Sequence, residues 1–281
     1  MAPVPDAPRA EPFFLKAEQG QRFCLFHPPA GACRGAVLYV PPFGEEMNKS
    51  RRMAALQARD LAARGFGVLL LDLYGCGDSS GDFADARWDI WQSDLALGQQ
   101  WLQQRLGQPV SLWGLRLGAV LALDYARNPV QPLASLMLWQ PVQSGATFLT
   151  QFLRLRIAND MLSEDKEKGG GTKALRDALR AGESLEVAGY ELAPALADAI
   201  ESLDAAKLAV TSCPVHWFEA VPADGRPISP AAAKVTTAWE AAGVTPQIHL
   251  VTCPPFWATQ EVTECAALVA ATTSVFQQVA Q

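Results

Sequence analysis

Residues 110–122 read Val-Ser-Leu-Trp-Gly-Leu-Arg-Leu-Gly-Ala-Val-Leu-Ala. An apolar strand, a Gly-x-x-x-Gly turn and an apolar helix form the arrangement in which many hydrolytic enzymes hold a serine nucleophile. The two glycines serve a tight turn and a close backbone approach. The central residue here is Arg116. Its guanidinium stays protonated and cannot attack a carbonyl. The acyl-enzyme route through this position is therefore closed. The acid partner of such a site would follow the strand ending near Phe218, where Glu219 and Asp224 are available. The base would follow the last strand, where Val251-Thr252-Cys253-Pro254-Pro255-Phe256-Trp257 holds no histidine. His27, His216 and His249 all fall inside predicted strands and read as structural. Water activated by Glu219 or Glu261 is the acid–base chemistry left to this set.

Arg116 opens the helix that follows it, and a cation at a helix N-terminus is disfavoured by roughly 0.3–1 kcal/mol. A carboxylate would offset this, with Glu45, Glu46, Glu219 and Glu261 as the candidates. A bound carboxylate or phosphate held by the guanidinium would do the same. The bland alternative is that arginine simply fills a disused nucleophile position. The segment Pro41-Pro42-Phe43-Gly44-Glu45-Glu46-Met47-Asn48-Lys49-Ser50-Arg51-Arg52 occupies the place of an oxyanion loop. A backbone N–H from it, with that of Leu117, could still form a donor pair. Phe43, Gly44, Glu45, Glu46, Leu117 and Trp257 are thus the expected pocket and oxyanion-loop residues. Asp72-Leu73-Tyr74-Gly75-Cys76-Gly77-Asp78-Ser79 reads as a structural turn on one wall of the site. Cys76 is a weak candidate for a displaced nucleophile, since no histidine lies near it in sequence.

The elements that must position these residues alternate along the chain. Predicted strands are Arg22–His27, Ala36–Val40, Val68–Leu71, Val110–Trp113, Ser135–Trp139, Val215–Phe218 and Gln247–Val251. Predicted helices are Ser50–Arg64, Asp85–Leu106, Leu117–Arg127, Thr147–Met161, Pro230–Ala242 and Glu261–Gln278. Continuous apolar strands alternating with helices imply a mostly parallel sheet with helices on both faces. The alternation breaks after Ser135–Trp139. Ser163–Gly171 reads as a flexible polar stretch, followed by a short helix Thr172–Ala181, a strand-like Leu185–Leu192 and a helix Pro194–Leu203. Residues 145–205 are therefore expected to form a small cap inserted into a core of 1–144 and 206–281. Residues 1 to about 12 are Pro- and Ala-rich and expected to be loose.

Composition narrows the function classes. The chain has 281 residues, 49% of them apolar and 19% charged, which suits a single large core. The formal balance of −6 gives no basic surface for nucleic acid. No apolar run approaches a membrane span. The opening residues lack the basic and apolar segments of a secretory signal. Six cysteines without CxxC spacing indicate neither a zinc site nor a disulfide framework, and a reducing cytoplasm is the expected home. No metal or cofactor is expected. The expected partner is a small-molecule or acyl ligand, and a homodimer is compatible with the chain.

Together these motifs resemble the α/β-hydrolase fold. More specifically, the chain is similar to the exosortase A system-associated hydrolase family, second type. The resemblance lies in Phe23-Cys24-Leu25-Phe26-His27-Pro28-Pro29, Val40 to Met53, Leu73 to Phe83, Trp113 to Ala119 and Phe256-Trp257-Ala258-Thr259-Gln260-Glu261. It spans nearly the whole chain. It implies a protein of Gram-negative bacteria encoded near genes for exopolysaccharide production and PEP-CTERM protein sorting. It also implies that arginine at the elbow is a family trait. Two functions follow as expectations: a hydrolase of ester or acyl substrates without the standard Ser-His-Asp triad, or a non-catalytic pocket that binds an anionic or acyl ligand through Arg116.

Overall fold

The computed structural model describes residues 8–162 and 171–279. In chain order the elements are β1 (Glu11–Lys16), β2 (Gln21–His27), β3 (Gly35–Val40), α1 (Glu45–Ala63), β4 (Phe66–Leu71), α2 (Trp88–Leu106), β5 (Val110–Leu115), α3 (Leu117–Ala126) and β6 (Leu133–Trp139). There follow α4 (Gly145–Leu162), α5 (Thr172–Arg180), β7 (Leu185–Val187), β8 (Tyr190–Leu192), α6 (Pro194–Ser202), β9 (Val215–Val221), α7 (Pro230–Ala241), β10 (Gln247–Thr252) and α8 (Ala266–Val279). Eight strands form one sheet in the order β1-β2-β4-β3-β5-β6-β9-β10. β1, β2 and β4 pair antiparallel, and every pairing from β4 to β10 is parallel. This is the α/β-hydrolase fold.

The central strands are apolar throughout because both of their faces are covered. Along β3, Ala36, Leu38 and Val40 enter one core cluster, which includes Leu95 and Leu102 of α2 and Leu121 of α3. Val37 and Tyr39 enter the other, with Met53 and Leu61 of α1 and Phe276 of α8. Period-two alternation thus sends successive side chains to opposite helical layers. In the second layer Trp113 and Trp139 meet edge to face at 4.7 Å. The Trp139 indole donates to Thr272 Oγ1 at 2.8 Å, tying β6 to α8.

The structure departs from the sequence-based expectations in four places. β1 is an added edge strand outside the expected set, only its first two residues falling in the segment read as loose; its side chains are mostly exposed, so it carries no apolar rhythm. α1 begins at Glu45, five residues before the expected start. Glu45 and Glu46 are therefore its first turn, where acidic residues suit the helix dipole, and are not loop residues. Leu185–Leu192 is a two-stranded hairpin, turned at Ala188 (φ 51°) and Gly189 (φ 83°), instead of one strand. α8 begins at Ala266, which leaves Glu261 in an exposed loop. The expected flexible stretch Ser163–Gly171 falls, up to residue 170, outside the described residues.

Residues between β6 and β9 leave and rejoin the sheet at one place. Ser144 and Asp204 form a β-bridge, Gly145 N donates to Leu203 O at 2.9 Å, and Ala205 N donates to Gln143 O at 3.0 Å. From this neck α4 runs back over the β3–α1 junction. Its Phe148 and Phe152 lie 5.7 and 4.9 Å from Phe43, edge to face.

Candidate ligand site at the elbow

β5 ends at Leu115, and Arg116 turns the chain into α3 with φ 55° and ψ −118°. This backbone region costs an arginine about 1–3 kcal/mol and persists only where the surroundings impose it. They do so here. Arg116 N donates to Trp139 O at 2.9 Å, and Arg116 O accepts from Ala119 N at 3.1 Å. The flanking glycines are required by space. A Cβ on Gly114 would stand 2.5 Å from Ala119 Cα, and one on Gly118 would stand 2.3 Å from Pro41 O. The second contact shows why α3 can press against the end of β3. Since Val40 pairs with Gly114 across the β3–β5 ladder, the loop after β3 and the elbow after β5 are neighbours.

That adjacency selects the partner of Arg116. Its Nε donates to Glu46 Oε1 at 3.2 Å, and both side chains are nearly buried. The guanidinium also lies 5.4 Å above the ring centroid of Trp257, within cation–π range. Nη1 and Nη2 have no hydrogen-bond partner among the described residues. Glu45 Oε2 and Glu46 Oε2 are likewise buried without one. Burial pushes the Glu46 carboxyl up to about 7, against the attraction of Arg116 and with the help of neighbouring Glu45.

Two adjoining cavities meet at Arg116. One, of about 140 Å³, is lined by Phe43, Glu45, Glu46, Phe148, Gln151 and Phe152 among others. The other, of about 130 Å³, is lined by Val142, Gln143, Ser144, Thr147 and Gln151 among others. Phe148 and Gln151 of α4 wall both. These α4 residues were not anticipated as site residues, although Phe148 and Phe152 stand one helical turn apart on one face. A separate, narrower apolar slot lies beside Phe43, Gly44, Leu117 and Gly118.

The other expected residues fall elsewhere. Glu219 does not serve Arg116. Its Oε2 accepts from the Trp217 indole at 2.9 Å and its Oε1 from Ser229 N at 3.2 Å, so this buried carboxylate is a structural hub between β9 and α7. Glu261 is exposed, and its carbonyl accepts from Thr259 and Thr263. Asp224 accepts a hydrogen bond from Thr252 Oγ1. Gly44, at φ 58°, caps α1 in a backbone conformation close to that of Arg116. Leu117 is buried at the first turn of α3. Asp72 accepts from Asp78 N and faces Arg51, as a structural turn requires. Burial pushes the Cys76 thiol up to about 12, which disfavours the thiolate that a nucleophile requires. Burial lowers His27 and His216 to about 4 and His249 in the same direction. His216 Nδ1 and His249 Nε2 stand 3.2 Å apart across β9 and β10. Among the described residues no group of three or more His, Cys, Asp or Glu is placed to hold a metal, and no helix is long and apolar enough to cross a membrane.

Solved structures with the same fold include a carboxyl esterase from Bacillus coagulans in complex with glycerol. It is 13% identical with TM-score 0.66, covering 97% of this chain and 99% of that one. A lipase in an open form is 16% identical with TM-score 0.67, covering 97% and 100%. A soluble variant of monoglyceride lipase from Saccharomyces cerevisiae, in complex with a substrate analog, is 15% identical with TM-score 0.66, covering 99% of both chains. No match was found among curated protein sequences. The family model described as serine aminopeptidase, S33, matches residues 31–178, over half of the chain and the part that carries β3, the elbow and α4. The chain belongs to the serine aminopeptidase S33 family of α/β-hydrolases.

Proposed function

We propose that this member of a hydrolase family uses its elbow to bind a small acyl-type ligand through Arg116, without serine-based cleavage. The observation that carries this reading is the guanidinium itself. It occupies the centre of the elbow, hydrogen-bonds through Nε while its face lies over Trp257, and lines two cavities. Nη1 and Nη2 are a ready bidentate fork for a carboxylate or phosphate oxygen pair. Aromatic walls at Phe43, Phe148 and Phe152 suit an acyl chain. Residues 145–205 serve as the cap in this reading, α4 being the cover. The sequence runs that resemble exosortase A system-associated hydrolases favour a cytoplasmic role alongside exopolysaccharide and PEP-CTERM export in this reading.

The test is a thermal-shift screen of short and medium-chain carboxylates and their phosphate counterparts. Arg116→Ala is expected to abolish the stabilisation, with binding weakened at least tenfold, as loss of a charged hydrogen-bond pair worth about 1.5–3 kcal/mol requires. Equal shifts in variant and parent would sink the role given to Arg116.

Family membership favours a second reading, hydrolysis by a nonstandard residue set. Chromogenic short-chain esters discriminate the two, with Arg116→Ser as control. Turnover by the parent that Arg116→Ala removes would establish the hydrolase.

A further inference from the structure

We propose that a carboxylate binding at Arg116 brings one proton with it, taken up by Glu46, so that the pocket is a pH-gated site for monoanionic acids. This rests on the ligand reading above and adds how the site is regulated.

The geometry sets the problem. Arg116 already donates to Glu46 Oε1, while Oε2 of Glu46 and Oε2 of Glu45 are buried without partners. A second anion on the same guanidinium would put a third carboxylate into the cavity that Glu45 and Glu46 already line beside Arg116. Like charges in contact drive one carboxyl to accept a proton. Glu46 is the one that shares the arginine with the incoming anion. Once protonated, it also gains a donor: the Oε2 hydroxyl can give its hydrogen to the ligand carboxylate and so satisfy an orphaned atom. The proton comes from solvent, and no covalent bond to the ligand forms or breaks.

The groups that face Glu46 fit this assignment. Glu45 and Lys49 share α1 with it and act in opposite senses, and Arg116 approaches from the elbow. Tyr39 lies behind it on β3, and burial raises that phenol, so it stays protonated. α4 contributes Phe148, Gln151, Phe152 and Leu155, and the loop after β10 contributes Trp257; none of these carries a charge. Burial has already brought the unliganded Glu46 to about 7, so the coupling falls in an accessible range.

The experiment is calorimetric titration of the full chain with sodium octanoate from pH 6 to 9, in two buffers of different ionisation enthalpy, which counts protons directly. Octanoate stays ionised throughout. Affinity is expected to fall about tenfold per pH unit above pH 7.5, with net uptake approaching one proton. Glu46→Gln keeps the shape of the side chain and removes the titration. It is expected to bind octanoate with pH-independent affinity, at least about tenfold tighter than the parent at pH 8.5. Glu45→Gln is expected to keep the slope. Octanoate binding by the parent without proton uptake, or an unchanged slope in Glu46→Gln, overturns the coupling and leaves the ligand reading standing. No octanoate binding at any pH overturns both. The proton count uses the parent protein, so it decides even if a variant fails to fold.

Discussion

Replacing Asp94 with alanine is expected to lower the free energy of unfolding by about 3–5 kcal/mol, the usual cost of breaking a buried ion pair from one side. Asp94 Oδ1 accepts from Arg22 Nε at 2.6 Å, and its Oδ2 accepts from Tyr74 N at 2.8 Å. Both side chains of the pair are about 2% exposed. Alanine would leave the buried Arg22 guanidinium without its counter-charge, with only the Gln19 and Gln21 carbonyls as acceptors among the described residues, and would leave Tyr74 N unpaired. Urea unfolding of Asp94→Ala measures the loss. The double variant Arg22→Met/Asp94→Leu should recover most of it, because two apolar side chains of similar volume carry no desolvation cost. A double variant no better than the single one would show that the two charges do not act as a pair. The parent has its own pH signature here. Burial raises Asp94 from 3.8 to about 6. The folded state therefore holds a proton that the unfolded chain has released, and stability present below pH 3.8 is lost as pH rises through 6.

Gly118→Ala is the second large effect, expected to cost about 3 kcal/mol and to abolish octanoate binding together. The new Cβ would meet Pro41 O at 2.3 Å and Val40 O at 2.4 Å. These are backbone atoms at the end of a central strand, so they cannot swing aside as a side chain would. Overpacking of this kind costs about 1–3 kcal/mol, and the upper end applies where backbone must move. Separating α3 from β3 also separates Arg116 from Glu46, which is why binding should fail with stability. An unchanged urea midpoint would mean that the two backbones approach less closely than 2.3 Å implies.

Much of this architecture can be read from residue types, for identifiable reasons. The runs at β3, β5 and β6 are apolar on both faces, and the glycines at 114 and 118 answer to contacts that no other residue permits. The elements that resist reading lack such signals. β1 is a half-solvated edge strand. The β7–β8 turn places Ala188 at φ 51°, a position normally marked by Gly, Asn or Asp. The start of α1 looks like a charged loop because Glu45 and Glu46 serve the helix dipole, and Glu46 the ion pair with Arg116, not the core. Four carboxylates could have faced Arg116 on sequence alone. The choice depends on strand order: β3 lies beside β5, whereas β9, which carries Glu219, is separated from β5 by β6. The walls supplied by α4 depend on how the insertion folds back, which no local pattern encodes.

The neck at Ser144 and Asp204 has a consequence for descent. A segment that enters and leaves through one backbone bridge can be lengthened, shortened or traded between relatives without shifting β6 against β9, which pair from Leu136 to Trp139. Gly145 packs the neck tightly against the end of α6, since a Cβ there would collide with Ile200 O. What lies over Arg116 from α4 can thus change while the sheet stays intact, so that under the proposed ligand role one wall of the pocket is free to vary independently of the core that carries the elbow.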